Sequence, residues 1–163
     1  MSGKTLDGTK TKGPMVQGLP TTTGRMTRDG DHRTWKIDEE LGRIQLDYQV
    51  RLLFVYGPQS PRTEAQIVIE TTFAIIPPGA EESLVDPGVP TSMAPLLPLL
   101  HRRVDRVTAH SSGLLEIYFA DGTVIRVSKR TDGFESWNTF GAGALHDFNM
   151  LCSSHDVAPW GDK

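Results

Sequence analysis

The stretch whose reading decides the fold is residues 43–54, "RIQLDYQVRLLF". Ile44, Leu46, Tyr48, Val50, Leu52 and Phe54 fall on one side of a period-two alternation, with Gln45, Asp47, Gln49 and Arg51 on the other. Side chains alternate faces along an extended chain but return every 3.6 residues along a helix. Six apolar residues at strict period two therefore predict a half-buried β-strand over 43–54.

Working outward, "VYGPQSPR" (55–62) turns the chain through Gly57, Pro58 and Pro61, residues that fix or free φ where the direction must change. "AQIVIETTFAII" (65–76) reads as a second β-branched run. "PPGAEESLVDPGVP" (77–90), with four prolines and two glycines, reads as a loop. Ser92 then offers a cap for a short helix in "SMAPLLPLLHRRV", near residues 92–103. Pro95 is tolerated in a first turn, whereas Pro98 removes a donor deeper in and keeps the helix short or bent. At helical spacing its packing face is Met93, Leu96, Leu97 and Leu100.

Strand patterning returns in "RVDRVTAHSSGLLEIYFADGTVIRVSKR" (103–130): a strand, a turn at "HSSG", and a strand through Leu115, Ile117 and Phe119. A hairpin at Asp121-Gly122 follows, where a type I′ turn would need positive φ at both positions, and Val124, Ile125 and Val127 return. "FESWNTFGAG" and "FNMLCSSHDVAPW" supply the last strands. A faint repeat links "GRIQLDYQVRLLF" with "RRVDRVTAHSSGLLEIYF": each runs from arginine into a β segment, a polar break and another apolar stretch, and each precedes a β-branched return. The expected fold is mainly β, α+β at most. Two β-meander halves form a sandwich or a partly open barrel, joined by a loop and one short helix near 92–103.

Residues 1–33 hold hardly any large apolar side chains and read as a flexible extension, with a single β-rich domain over 34–163 starting near Trp35. At 163 residues, one domain is the natural count. No run approaches the roughly 18 apolar residues of a membrane span, and no apolar segment marks a secretory signal. One cysteine makes no internal disulfide and fits a reducing, cytoplasmic setting. Residues 1–33 carry six Lys/Arg against three aspartates, which leaves 11 basic and 17 acidic residues for the rest. An acidic body argues against nucleic-acid binding, which needs cations to displace counterions, and permits a basic protein partner.

The order and spacing of "DYQVRLLF", "MAPLLPLLHRRVDRV", "LLEIYFADGTVIRV", "FESW" and the terminal "MLCSSHDVAPW" resemble a bacterial domain-of-unknown-function family, number 6188, over roughly residues 41–160. The chain departs from that pattern after the cysteine, where "SSHD" replaces a Pro-Gly-Gly-like turn. The resemblance implies a small, mostly β fold without an assigned activity. Domains of this style include candidates for immunity proteins that neutralise a toxin.

Candidate sites are few. His146, Cys152 and His155, flanked by Asp147 and Asp156, offer zinc-type donors. Only one cysteine exists, however, and Cys152 and His155 point to opposite faces of an extended strand. Cys152 is the better small buried hydrophobe. As a nucleophile it lacks an elbow or oxyanion turn, and "GAG" at 141–143 lacks the Lys-Ser/Thr of a phosphate cradle. Trp35 and Trp137 read as core, while Trp160 either pins the terminus or contacts a partner. The expectation is a non-enzymatic protein-binding domain with no cofactor. It would occlude a basic toxin through an acidic face of Asp38, Glu39, Glu40, Glu81 and Glu82, with Trp160 as a contact. The alternative is a small-molecule-binding β module with its ligand between sheet and helix near Trp137.

Overall fold

The computed structural model describes residues 26–56 and 63–158. The strands are β1 (Met26–Asp29), β2 (His32–Leu46), β3 (Val50–Tyr56), β4 (Thr63–Ile69), β5 (Phe73–Ile76), β6 (Ser83–Val85), β7 (Arg103–His110), β8 (Leu115–Phe119), β9 (Val124–Val127), β10 (Glu135–Gly141), β11 (Met150–Ser153) and β12 (Val157–Ala158). Two 3-10 helices, η1 (Pro90–Leu99) and η2 (Gly143–Leu145), complete the described elements. Every strand pairing is antiparallel. The main path runs β12-β11-β10-β4-β3-β2-β7-β8-β9-β5-β6, with β1 added to β2, and does not close into a barrel.

The fold is mainly β, but the deciding stretch is two strands rather than one. Leu46 pairs with Val50 and Ile44 with Leu52 across a turn at 47–49. The Asp47 carboxylate accepts the Tyr48 N–H (2.8 Å), and Tyr48 stands 90% exposed at the tip. The alternation runs unbroken through the reversal because cross-strand partners share a face, and a three-residue turn preserves the parity of the pattern. The run 65–76 is likewise divided. β4 and β5 belong to different wings of the sheet, and residues 70–72 carry the chain between them. The turn containing Gly57, Pro58 and Pro61 lies outside the described residues; β3 and β4 pair on either side of it, Tyr56 with Thr63.

The two meanders exist. β2-β3-β4 and β7-β8-β9 lie back to back with β2 and β7 paired at the centre. Each then lends its next strand to the other half: β5 pairs with β9, and β10 with β4. The order is thus pseudo-symmetric about the β2–β7 seam, which gives the sequence repeat a structural basis.

β2 is long enough to serve both wings because it bends. Its register with β7 shifts between Lys36 and Glu39, where Asp38 takes φ 57°. Asp is among the residues that tolerate this left-handed region, and Arg103 holds its carboxylate (Nε–Oδ1 2.8 Å). The inner faces of the wings meet in one core. Trp35 packs edge-on against Phe148 with ring centroids 5.1 Å apart. The Trp137 indole N–H donates to the Gly113 carbonyl (2.8 Å), satisfying a buried donor with backbone from the opposite wing.

Four further expectations need correction. The stretch 26–33, read as part of a flexible extension over 1–33, forms β1, the Gly30-Asp31 loop and the start of β2, with Asp29 opposite His32; residues 1–25 lie outside the described residues. The loop 77–90 contains β6. The helix is η1 at Pro90–Leu99, with Val89 rather than Ser92 at its N-cap, and Arg103 already belongs to β7. Pro95 and Pro98 remove α-helical donors, and the tighter 3-10 winding repeats every three residues. Met93, Leu96 and Leu99 are therefore buried, while Leu97 is 62% and Leu100 37% exposed. The Asp121-Gly122 hairpin is real, but only Gly122 has positive φ (92°), and its N–H bonds the Phe119 carbonyl (3.1 Å). That geometry is a type I turn followed by a left-handed glycine.

Candidate functional site

The C-terminal stretch separates its expected metal donors. Cys152 is fully buried in β11, where its Sγ lies 3.6 Å from the Gly113 carbonyl, and burial pushes its thiol above the ordinary range. His146 and His155 are exposed in turns on either side of β11. No group of three His, Cys, Asp or Glu side chains among the described residues is placed to hold a metal. "SSHD" is the β11–β12 turn, in which the Ser153 N–H bonds the Asp156 carbonyl (2.9 Å).

The acidic residues fall in two places. Asp38, Glu39 and Glu40 lie at the bend of β2, where Asp38 is paired with Arg103 and Glu40 approaches His101 (3.9 Å). Burial, with Asp38 and Glu40 adding to it against Arg103, raises the Glu39 carboxyl. Glu81 and Glu82 are exposed immediately before β6. Four strands separate β2 from β6, so the two groups stand on the order of 20 Å apart along the sheet. Trp160 lies outside the described residues. Trp137 is fully buried and leaves no indole face for a ligand.

Sequence reasoning missed three features. The first is a polar cluster on the outer face of β7, β8 and β9, centred on Glu116, which is 7% exposed. Its carboxylate accepts from Tyr118 OH (2.7 Å) and Arg126 Nε (3.1 Å) and lies 3.0 Å from His110 Nε2. Burial alone would raise this carboxyl; the bonds from Tyr118, His110 and Arg126 outweigh it and hold it below its ordinary value. Arg106 covers the Tyr118 ring (3.9 Å), and His32 packs edge-on against His110 (4.3 Å). A signal existed: a hairpin centred on Asp121-Gly122 places Glu116 opposite Arg126.

The second feature is the outer side of β6 and η1. The 3-10 winding puts Ala94, Leu97 and Leu100 on one exposed stripe, and Val89 (46% exposed) and Leu84 (63%) lie on the same segment. Glu81, Glu82 and Asp86 interleave with them in sequence. Ser92 Oγ accepts the Asp86 N–H (2.8 Å), tying the end of β6 to the start of η1.

The third is a crevice of about 390 Å³ lined by Glu70, Thr71, Thr72, Asp86, Arg130, Thr131 and Asp132. It lies where the β4–β5 link meets the β9–β10 link, the two connections that carry the chain from one wing to the other.

The comparisons bear on this whole unit. The Family of unknown function (DUF6188) matches residues 32–156. The chain belongs to that family. The DUF6188 match begins at the first residue of β2, earlier than the resemblance reached, and ends in the β11–β12 turn. It therefore takes in both meanders, both exchanged strands and all three features. Comparison with curated proteins and with solved structures brings no match. No helix among the described residues is long and apolar enough to cross a membrane.

Proposed function

We propose that this chain is a non-enzymatic protein-binding domain that grips its partner with residues 81–100. The observation that carries the reading is η1. Its Met93, Leu96 and Leu99 face is buried, while the adjoining face of Thr91, Ala94 and Leu97 is exposed, with Leu97 62% exposed. A surface helix normally turns polar residues outward; Ala94, Leu97 and Leu100 with Val89 and Leu84 instead offer an apolar centre of the kind protein interfaces cover. Glu81, Glu82 and Asp86 add acidic residues to the same segment, which favours a partner whose contact surface is rimmed with lysine and arginine. The partner class we propose is a basic toxin whose active cleft is occluded, so that the domain acts as an immunity protein in the bacterial cytoplasm.

The test compares wild type with Leu97→Asp, both tagged, in capture from a lysate of the native cells. Leu97 is exposed, so thermal melting should leave the variant within about 0.5 kcal/mol of wild type. The expected result is a stoichiometric basic partner on wild type and none on the variant. Equal capture by both, or no partner on wild type, overturns the reading.

A further inference from the structure

The crevice at the crossing of the two wing-changing links has a physical cause. A chain leaving one wing of the sheet for the other within three residues, as at 70–72, makes the wings diverge there. The pseudo-symmetric link through 128–134 does the same beside it, and the gap between them is the cavity. Its walls are fixed by backbone. The Glu70 N–H bonds the Ser136 carbonyl (3.0 Å), Arg130 Nη1 donates to the Glu70 carbonyl (3.1 Å), and the Arg130 N–H donates to the buried Ser136 Oγ (2.7 Å).

Its charges do not balance. Among the described lining residues Arg130 is the one cation against three carboxylates; Asp132 holds it through Nε (2.8 Å) and Nη2, and Glu70 and Asp86 also attract it. Asp86 Oδ1 accepts the Gly88 N–H (2.8 Å), and the Glu70 carboxylate accepts no hydrogen bond among the described residues. Burial first, and then the nearby Glu135, push the Glu70 carboxyl up against the pull of Arg130 and Arg51. Thr71, Thr72 and Thr131 add neutral hydroxyls. The complement of this lining is a cationic, multi-donor group of side-chain size. Asp86 directly follows β6 and bonds the start of η1 through Ser92, so this wall of the crevice is continuous with the β6–η1 segment.

We infer that this crevice receives an arginine side chain of the protein partner, its guanidinium bridging Glu70 and Asp86 while neighbouring apolar residues cover Leu84 and Leu97. The inference rests on the protein-binding reading and names the partner's anchoring chemistry. A guanidinium suits the site better than an ammonium because its planar fork donates in two directions at once. An anchor of this kind, seated in a pocket beside an apolar patch, is where binding energy concentrates in protein interfaces.

The probe is the tripeptide acetyl-Gly-Arg-Gly-amide, with the citrulline peptide as its uncharged twin. Both are titrated into the folded full chain and followed by amide chemical shifts in two-dimensional NMR. The expected result is saturable, salt-sensitive movement of the Thr71, Thr72, Thr131 and Asp132 amides with the arginine peptide and none with citrulline. Glu70→Gln should weaken that binding about fivefold, the value of one partly screened ion pair. No saturable movement at these amides, equal response to citrulline, or unchanged affinity in Glu70→Gln overturns the inference. Loss of partner capture by Leu97→Asp with no arginine effect would leave the docking surface standing and remove the crevice alone. The opposite pattern would remove the docking surface and leave the crevice.

Discussion

Replacing Glu116 by Gln keeps the side chain's shape and removes one charge from the most heavily bonded acid on the outer face of the sheet. Three donors converge on it: Tyr118 OH at 2.7 Å, His110 Nε2 at 3.0 Å and Arg126 through Nε and Nη2 at 3.1 Å. A hydrogen bond to a charged group contributes about 1.5–3 kcal/mol. The Arg126 side chain is half exposed, so solvent screens its share to about 0.5 kcal/mol. The cost of burying the carboxylate offsets part of the remainder. The net loss at pH 7 is therefore about 2 kcal/mol, which lowers the melting temperature of a chain this size by about 6 °C. The sign of the pH dependence follows from the depressed folded-state value. The contribution is complete above the ordinary 4.5 of a glutamate and is lost as pH falls through the lower value in the folded protein. Urea titrations from pH 7 to pH 3 should show wild type and Glu116→Gln well separated at neutrality and converging in acid. A loss below about 0.5 kcal/mol, or a gap that stays constant with pH, would refute the assignment of Glu116 as a charged hub.

The register of η1 gives a paired test. Leu96→Ala should cost about 2–5 kcal/mol because Leu96 is fully buried, and Leu97→Ala less than about 0.5 kcal/mol; urea midpoints that reverse this order would restore an α-helical face. Gly141→Ala drives a methyl into the Leu145 carbonyl and within 3.0 Å of the Leu145 and Phe148 Cβ atoms, so a loss of about 3 kcal/mol or more is expected in thermal melts. Gly133→Ala meets nothing within 4 Å, and its φ of 93° limits the cost to about 1–2 kcal/mol. Cys152 should react with a thiol-specific disulfide reagent only at the rate of local or global opening, because the buried thiol is held above its ordinary value. Immediate labelling of the native protein would show that the Gly113–Cys152 contact is open.

Read as pattern alone, the chain is legible wherever local chemistry dictates one outcome. Apolar alternation makes strands of 43–54 and 103–127, glycine at 122 turns a hairpin, two prolines spoil a helix at 95 and 98, and Cys152 goes inward as a small hydrophobe. The Asp-Gly centre even sets Glu116 opposite Arg126. Tertiary structure decided what those signals leave degenerate. Period two is the same for one long strand and for two strands around a three-residue turn, so Leu46 facing Val50 is invisible to it. Nothing local distinguishes a strand that continues from one that changes wings, because Thr71 and Thr72 are good strand residues. The crevice at the crossing links is a product of that choice. It joins residues far apart in sequence, Glu70 and Arg130, whose proximity exists only once both halves have exchanged a strand.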